Sequence, residues 1–152
     1  MKIRSDCYAS VTAEDIEMKT VQTGRPGKAK ILVVDDQMAV VLMMVSLLTR
    51  AGFDAHAATS AEKALRLALT ETFNLITLDI NMPGINGFEL FQRLKQIPHL
   101  EETPVLFVSG HATIEDQQRA LDLGAADFIT KPFDAKYLVS RILSHLGETT
   151  LV

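Results

Sequence analysis

Two periodicities alternate along this chain. Consecutive apolar residues occur at Ile31–Val34, Leu75–Leu78, Val105–Val108 and Phe128–Ile129, with a weaker, half-polar run at Asp54–Ala58. Apolar runs without polar alternation are the habit of strands covered on both faces, as in parallel sheets. Between them lie segments of helical period near 37–51, 60–71, 87–96, 113–123 and 134–146. Gly52, Pro83-Gly84, Pro98, Pro104, Gly124 and Pro132 punctuate the boundaries, and Ser60 stands where a helix N-cap belongs. Strand and helix alternating at this spacing predict an α/β fold: a five-stranded parallel sheet with right-handed crossovers and helices on both faces.

Residues 1–29 differ from the rest. They are mixed in charge, poor in large apolar groups, and end in the linker-like "TGRPGKAK". Within them "TAEDIEMKTV" can form one or two helical turns, with Thr12 as N-cap and Asp15 three residues on. It has too little apolar surface to stand alone. The expected organisation is an extension over 1–29, one domain over 30–147, and a tail over 148–152. At 152 residues, with 47% hydrophobic and 22% charged residues, the chain has enough material for a real core. Its net charge of −4 argues against a nucleic-acid surface. The single cysteine, Cys7, precludes an internal disulfide, and no stretch is long and apolar enough for a signal peptide or a membrane span. A cytoplasmic protein with no nucleic-acid or membrane partner is expected.

Parallel strands share a direction, so their carboxyl ends lie along one edge, where such sheets bind ligands. That edge receives Asp35 and Asp36 after the first run, Asp79 after the third, Ser109 after the fourth and Lys131 after the fifth. Clustered carboxylates repel one another unless a cation or a proton relieves them. All-oxygen ligands suit a hard divalent ion such as Mg²⁺, which also binds phosphate oxygens. With a lysine charge and a hydroxyl donor added, the set can neutralise a phosphoryl group, and Asp79 is the natural nucleophile. Each residue has a plainer role open to it: Asp35 as a helix cap, Ser109 as a turn cap, Lys131 as a solvated surface charge. A flavin or nucleotide phosphate wants Gly, Ser or Thr amides after the first strand, and Asp35-Asp36-Gln37 would repel it. An aspartate-based phosphatase usually carries D-x-D, whereas Asp79 is followed by Ile80 and Asn81.

The segments "ILVVDD", "LITLDINMPGINGFEL", "PVLFVSG" and "GAADFITKPF", in this order, resemble the receiver domain of two-component response regulators. The resemblance implies a flavodoxin-like receiver fold with strand order 2-1-3-4-5. It implies that Asp79 is the phosphoacceptor and that Asp35, Asp36, Asp79 and the backbone carbonyl of Asn81 hold Mg²⁺. Lys131 and Ser109 would bind the phosphoryl oxygens, and Phe128 would swing inward as Ser109 moves. The Lys131–Pro132 bond would be cis. Where many members carry Tyr, this chain has Phe128, which has no phenolic OH; Ser109 lacks the methyl of a threonine.

The expected function is a single-domain response regulator, not an enzyme. It would take a phosphoryl group from a histidine kinase or histidine phosphotransfer protein, and with only residues 147–152 after the last helix no output domain of its own is expected. It would then act on a downstream protein or by self-association. The alternative is a receiver piece of a hybrid histidine kinase or larger regulator. The segment 37–51 adds a candidate surface. Its core stripe is expected at Val40, Met43, Met44, Leu47 and Leu48, and a second apolar stripe at Met38, Val41, Leu42 and Val45 is a candidate partner surface. Ile16, Met18 and Val21 of the extension offer an alternative cover for that stripe.

Overall fold

The computed structural model describes residues 28–146. In chain order the elements are β1 (Lys30–Val34), α1 (Met38–Arg50), β2 (Asp54–Ala58), α2 (Ala61–Thr70), β3 (Leu75–Leu78), α3 (Gly87–Lys95), a 3₁₀ turn (Pro98–Leu100), β4 (Val105–Ser109), α4 (Ile114–Leu123), β5 (Asp127–Thr130) and α5 (Ala135–Ser144). The five strands form one sheet of order β2-β1-β3-β4-β5, with every pair parallel. This is the expected architecture. The candidate turn at Thr12 and the Ile16, Met18 and Val21 positions lie outside the described residues.

The apolar runs are continuous because the middle strands are covered twice. Every residue of β3 and β4 is buried. Along β1 the side chains alternate: Ile31 and Val33 face a core built with α1 and α5, while Leu32 and Val34 face one built with α2, α3 and α4. The half-polar run Asp54–Ala58 is explained by its place at the sheet's edge, where only Ala58 is fully buried.

Local chemistry sets the helix ends. Ser60 accepts a hydrogen bond from the Lys63 amide at 3.1 Å, and Asn86 accepts one from the Glu89 amide at 3.0 Å. Thr113 and Asp116 form a reciprocal capping box at the start of α4. That helix ends at Gly124, whose φ of +108° is a left-handed conformation open to glycine at little cost. The Lys131–Pro132 peptide is cis.

Helix α1 departs from expectation in its rotation. Val41, expected on the outer stripe, is wholly buried, together with Met44, Leu47 and Leu48. Val45 is half-buried and packs with Val40 against the same core. Met43, expected inside, is 42% exposed, beside Met38 at 58% and Leu42 at 60%. The reason is that between Met38 and Thr49 this helix carries no charge to mark its wet side. Packing against β1 and β2 then decides the rotation, through the i, i+3, i+7 set Val41, Met44 and Leu48. The outer apolar face is therefore Met38, Leu42 and Met43.

Urea melts of three variants check this packing. Val41→Glu should cost on the order of 3 kcal/mol or more, because a carboxylate enters a sealed core. Leu48→Ala should cost about 2–5 kcal/mol. Leu42→Glu should stay within about 0.5 kcal/mol of the parent.

Candidate functional site

The sheet carries its hydrogen-bond ladder one residue beyond the strands. The Asp35 amide donates to the Ala58 carbonyl at 3.2 Å, the Asp79 amide to Val34 at 3.0 Å, and the Lys131 amide to Ser109 at 3.0 Å. These backbones are thus fixed level with one another at the carboxyl edge. On the far side of Asp79, α3 begins so close that a Cβ on Gly87 would lie 2.3 Å from the Asp79 carbonyl oxygen. Glycine there is a steric requirement, and it presses the loop after β3 against its own strand.

The side chains converge accordingly. Asp35, Asp36 and Asp79 each present a carboxylate oxygen within 4.8 Å of the others. Asp35 is 2% exposed and Asp79 7%. The plainer roles do not hold for two of these residues. The N-cap of α1 is Gln37, with no side-chain cap, and Asp35 instead accepts the Gln37 amide at 2.9 Å and the Lys131 ammonium at 2.5 Å. Lys131 is mostly buried rather than solvated, at 18% exposure. Asn81 lies exposed in the loop after Asp79.

Charge is unbalanced here, with one ammonium among three carboxyls. Burial pushes the Asp79 carboxyl above its ordinary range; the attraction of Lys131 opposes this and the repulsion of Asp35 adds to it. Ser109, 1% exposed, lies close enough for its hydroxyl to favour the Asp79 carboxylate, yet its Oγ completes no hydrogen bond among the described residues. A buried hydroxyl without a partner costs free energy unless something occupies the space it faces. Phe128 is half-buried, its ring stacked on Phe107 at 6.1 Å between centroids and 25° between planes.

A family profile described as the response regulator receiver domain matches residues 31–143. The chain belongs to the receiver domain family of response regulators. A probable cyclic di-GMP phosphodiesterase of Vibrio cholerae is 36% identical over 116 residues, 76% of this chain and 26% of that protein. A Burkholderia pseudomallei transcriptional activator protein, IrlR, is 37% identical over 117 residues, 77% of this chain and 50% of that protein. The chain thus spans a quarter to a half of the length of these curated relatives. Among solved structures, a CheY-like receiver domain protein of Methanospirillum hungatei aligns with a TM-score of 0.76 and 28% identity, over 82% of this chain and 98% of that one.

Receiver domains are signalling domains that typically bind Mg²⁺ in an acidic pocket. The residues present fit that ion. The donor set is entirely carboxylate oxygen, it lies beside exposed backbone that can add a carbonyl, and it carries negative charge that one lysine leaves uncompensated. Two features of this receiver domain escaped the sequence. One is an aromatic cluster in which Phe107 touches Phe88, Phe91 and Phe128. The other, at the opposite edge of the sheet, is Asp127 held by Arg141 at 2.5 Å and His145 at 3.0 Å. Phe88 and Phe91, spaced i, i+3 before a strand with Phe107, were the one available signal of the first.

The electrostatics give a pH-dependent prediction. In a chelator, Asp79→Asn should stabilise the domain by on the order of 1 kcal/mol at neutral pH. An acid with a raised folded pKa costs the native state stability as pH climbs from the ordinary Asp value of about 3.9 through the raised one. The advantage of the Asn variant should therefore be absent below that window and grow across it. Saturating Mg²⁺ should narrow it. Thermal melts at pH 3.5, 5 and 7 measure it, and a gap independent of pH would contradict the assignment of the cost to charge.

Proposed function

We propose that Asp79 accepts a phosphoryl group from the phosphohistidine of a histidine kinase or histidine phosphotransfer protein, and that the domain signals through protein contacts. The observation that carries this is the buried, charge-stressed Asp79 flanked by Lys131 and by a buried Ser109 hydroxyl with no partner. An Asp79 carboxylate oxygen forms the new bond to phosphorus while the P–N bond breaks, its electron pair remaining with the departing imidazole. Mg²⁺ held by Asp35, Asp36, Asp79 and the Asn81 carbonyl supplies charge neutralisation for the phosphoryl oxygens when bound. Lys131 shifts its ammonium from Asp35 towards the incoming phosphoryl group, and Ser109 donates its free hydroxyl to another of its oxygens. Movement of Ser109 opens the space beside Phe107 into which Phe128 can turn. One phosphoryl group is held per Asp79, so the chemistry is stoichiometric and the domain is a signalling acceptor.

The phosphodonor docks on α1. Met38, Leu42 and Met43 make an exposed apolar face that directly follows Asp35-Asp36, so a helix seated there is within reach of Asp79. A second reading, a receiver module of a longer regulator, is favoured by the greater length of the relatives. Immunoblotting the native source with an antibody against residues 28–146 separates the two by polypeptide size.

Intact mass after incubation with acetyl phosphate tests the acceptor. Addition of one phosphoryl group should require Mg²⁺ and vanish in Asp79→Asn; an equally phosphorylated Asn variant refutes the assignment. For the surface, Leu42→Glu with Met43→Lys should leave acetyl phosphate labelling intact while slowing transfer from the cognate histidine donor by about tenfold or more, a loss of some 1.4 kcal/mol.

A further inference from the structure

Helix α4 is weakly anchored. Of its ten residues only Ala120 is fully buried, while Ile114 is 83% exposed and Leu121 48%. Part of what ties it to the body is Arg119, whose guanidinium carbon sits 4.3 Å above the centre of the Phe88 ring. Phe88 immediately follows Gly87, the residue pressed against the Asp79 carbonyl, and its ring also meets that of Phe107, 5.4 Å away, the neighbour of Phe128. At its start, α4 is joined to Ser109 by residues 110–113, and the Thr113–Asp116 capping box locks that link to the first helical turn. The Arg119–Phe88 contact therefore bridges two sides of the site: the Asp79 side through α3, and the Ser109 side through α4.

We propose that Arg119 is a positioning residue that holds α4, and through it Ser109, in the unphosphorylated arrangement. This rests on the proposed phosphorylation of Asp79. Ser109 must move to use its hydroxyl on a phosphoryl group, the capped link carries that motion into α4, and the guanidinium is drawn off the Phe88 face. A contact present in one state and lost in the other biases the equilibrium by its own strength. Cation–π contact at an exposed position is modest, so removing it should tighten binding of a phosphoryl mimic by about two- to fivefold.

The experiment is calorimetric titration of beryllofluoride into the whole 152-residue chain in excess Mg²⁺. Arg119→Met keeps the apolar stem and removes the charge, and should bind the mimic more tightly than the parent. Arg119→Lys keeps a cation and should restore the parental affinity at least in part. Phe88→Leu, which removes the ring face, should match Arg119→Met, and combining the two should add nothing further. Unchanged or weaker affinity in Arg119→Met, with the parent binding normally, overturns the inference: the contact would then be equal in both states and serve stability alone. Failure of the parent to bind beryllofluoride overturns the phosphorylation reading, and the inference with it.

Discussion

Three carboxylates held against one another at the mouth of a low-dielectric sheet are the constraint around which this fold is arranged. Left to themselves, such groups would separate into water, where their repulsion is weak. They cannot, because the ladder bonds from Asp35 to Ala58 and from Asp79 to Val34 fix their backbones one residue past the strands. The desolvation that raises Asp79 is thus a product of sheet register. Energy put into holding the charges together is returned to whatever cation or phosphoryl group relieves them, which is how a binding site is preorganised.

Holding that arrangement explains features that look unrelated in the sequence. Gly87 is needed because α3 must start against the Asp79 carbonyl. Lys131 is drawn to Asp35, 96 residues away in the chain, while its charge also acts on Asp79, and the Lys131 amide is tied to the Ser109 carbonyl so that both residues share one height at the edge. The continuous burial of β3 and β4 provides a rigid floor under all of this. A softer sheet would let the carboxylates drift apart and dissipate the strain.

The strands, the helices and the convergence of Asp35, Asp36, Asp79, Ser109 and Lys131 were legible because each follows from local signals: continuous apolar runs, turn residues, and the shared direction of parallel strands. Those signals predicted the β2 and β3 boundaries to the residue and the helices to within one or two. What was not legible depends on contacts between elements. The rotation of α1 needed a polar face that its sequence lacks, so Val41 and Met43 exchanged sides. The partner of Arg119 is on another helix, and that of Asp127 another helix again, at sequence separations no periodicity encodes. Ser109 could be named from its position, but that its hydroxyl would be left without a partner is a property of packing alone.

Asp127 is the control that the molecule itself contains. It sits at the other edge of the same sheet, also removed from water, and burial pushes its carboxyl up as it does for Asp79. There the resemblance ends. His145, the Phe128 amide and Arg141 outweigh burial and hold Asp127 below the usual carboxylate range. An acid shifted that way lends stability above its unfolded pKa and gives it up as pH falls through the lowered one, the opposite sign to Asp79. The fold can thus supply a half-buried aspartate with partners that outweigh its desolvation. At Asp79 the charge of a lysine shared with Asp35, the Ile80 amide and the nearby Ser109 hydroxyl do not outweigh burial and the repulsion of Asp35. A charge-stressed acid at the sheet's carboxyl edge, in a scaffold that pairs Asp127 well enough to lower its pKa, is what marks Asp79 as the candidate functional group.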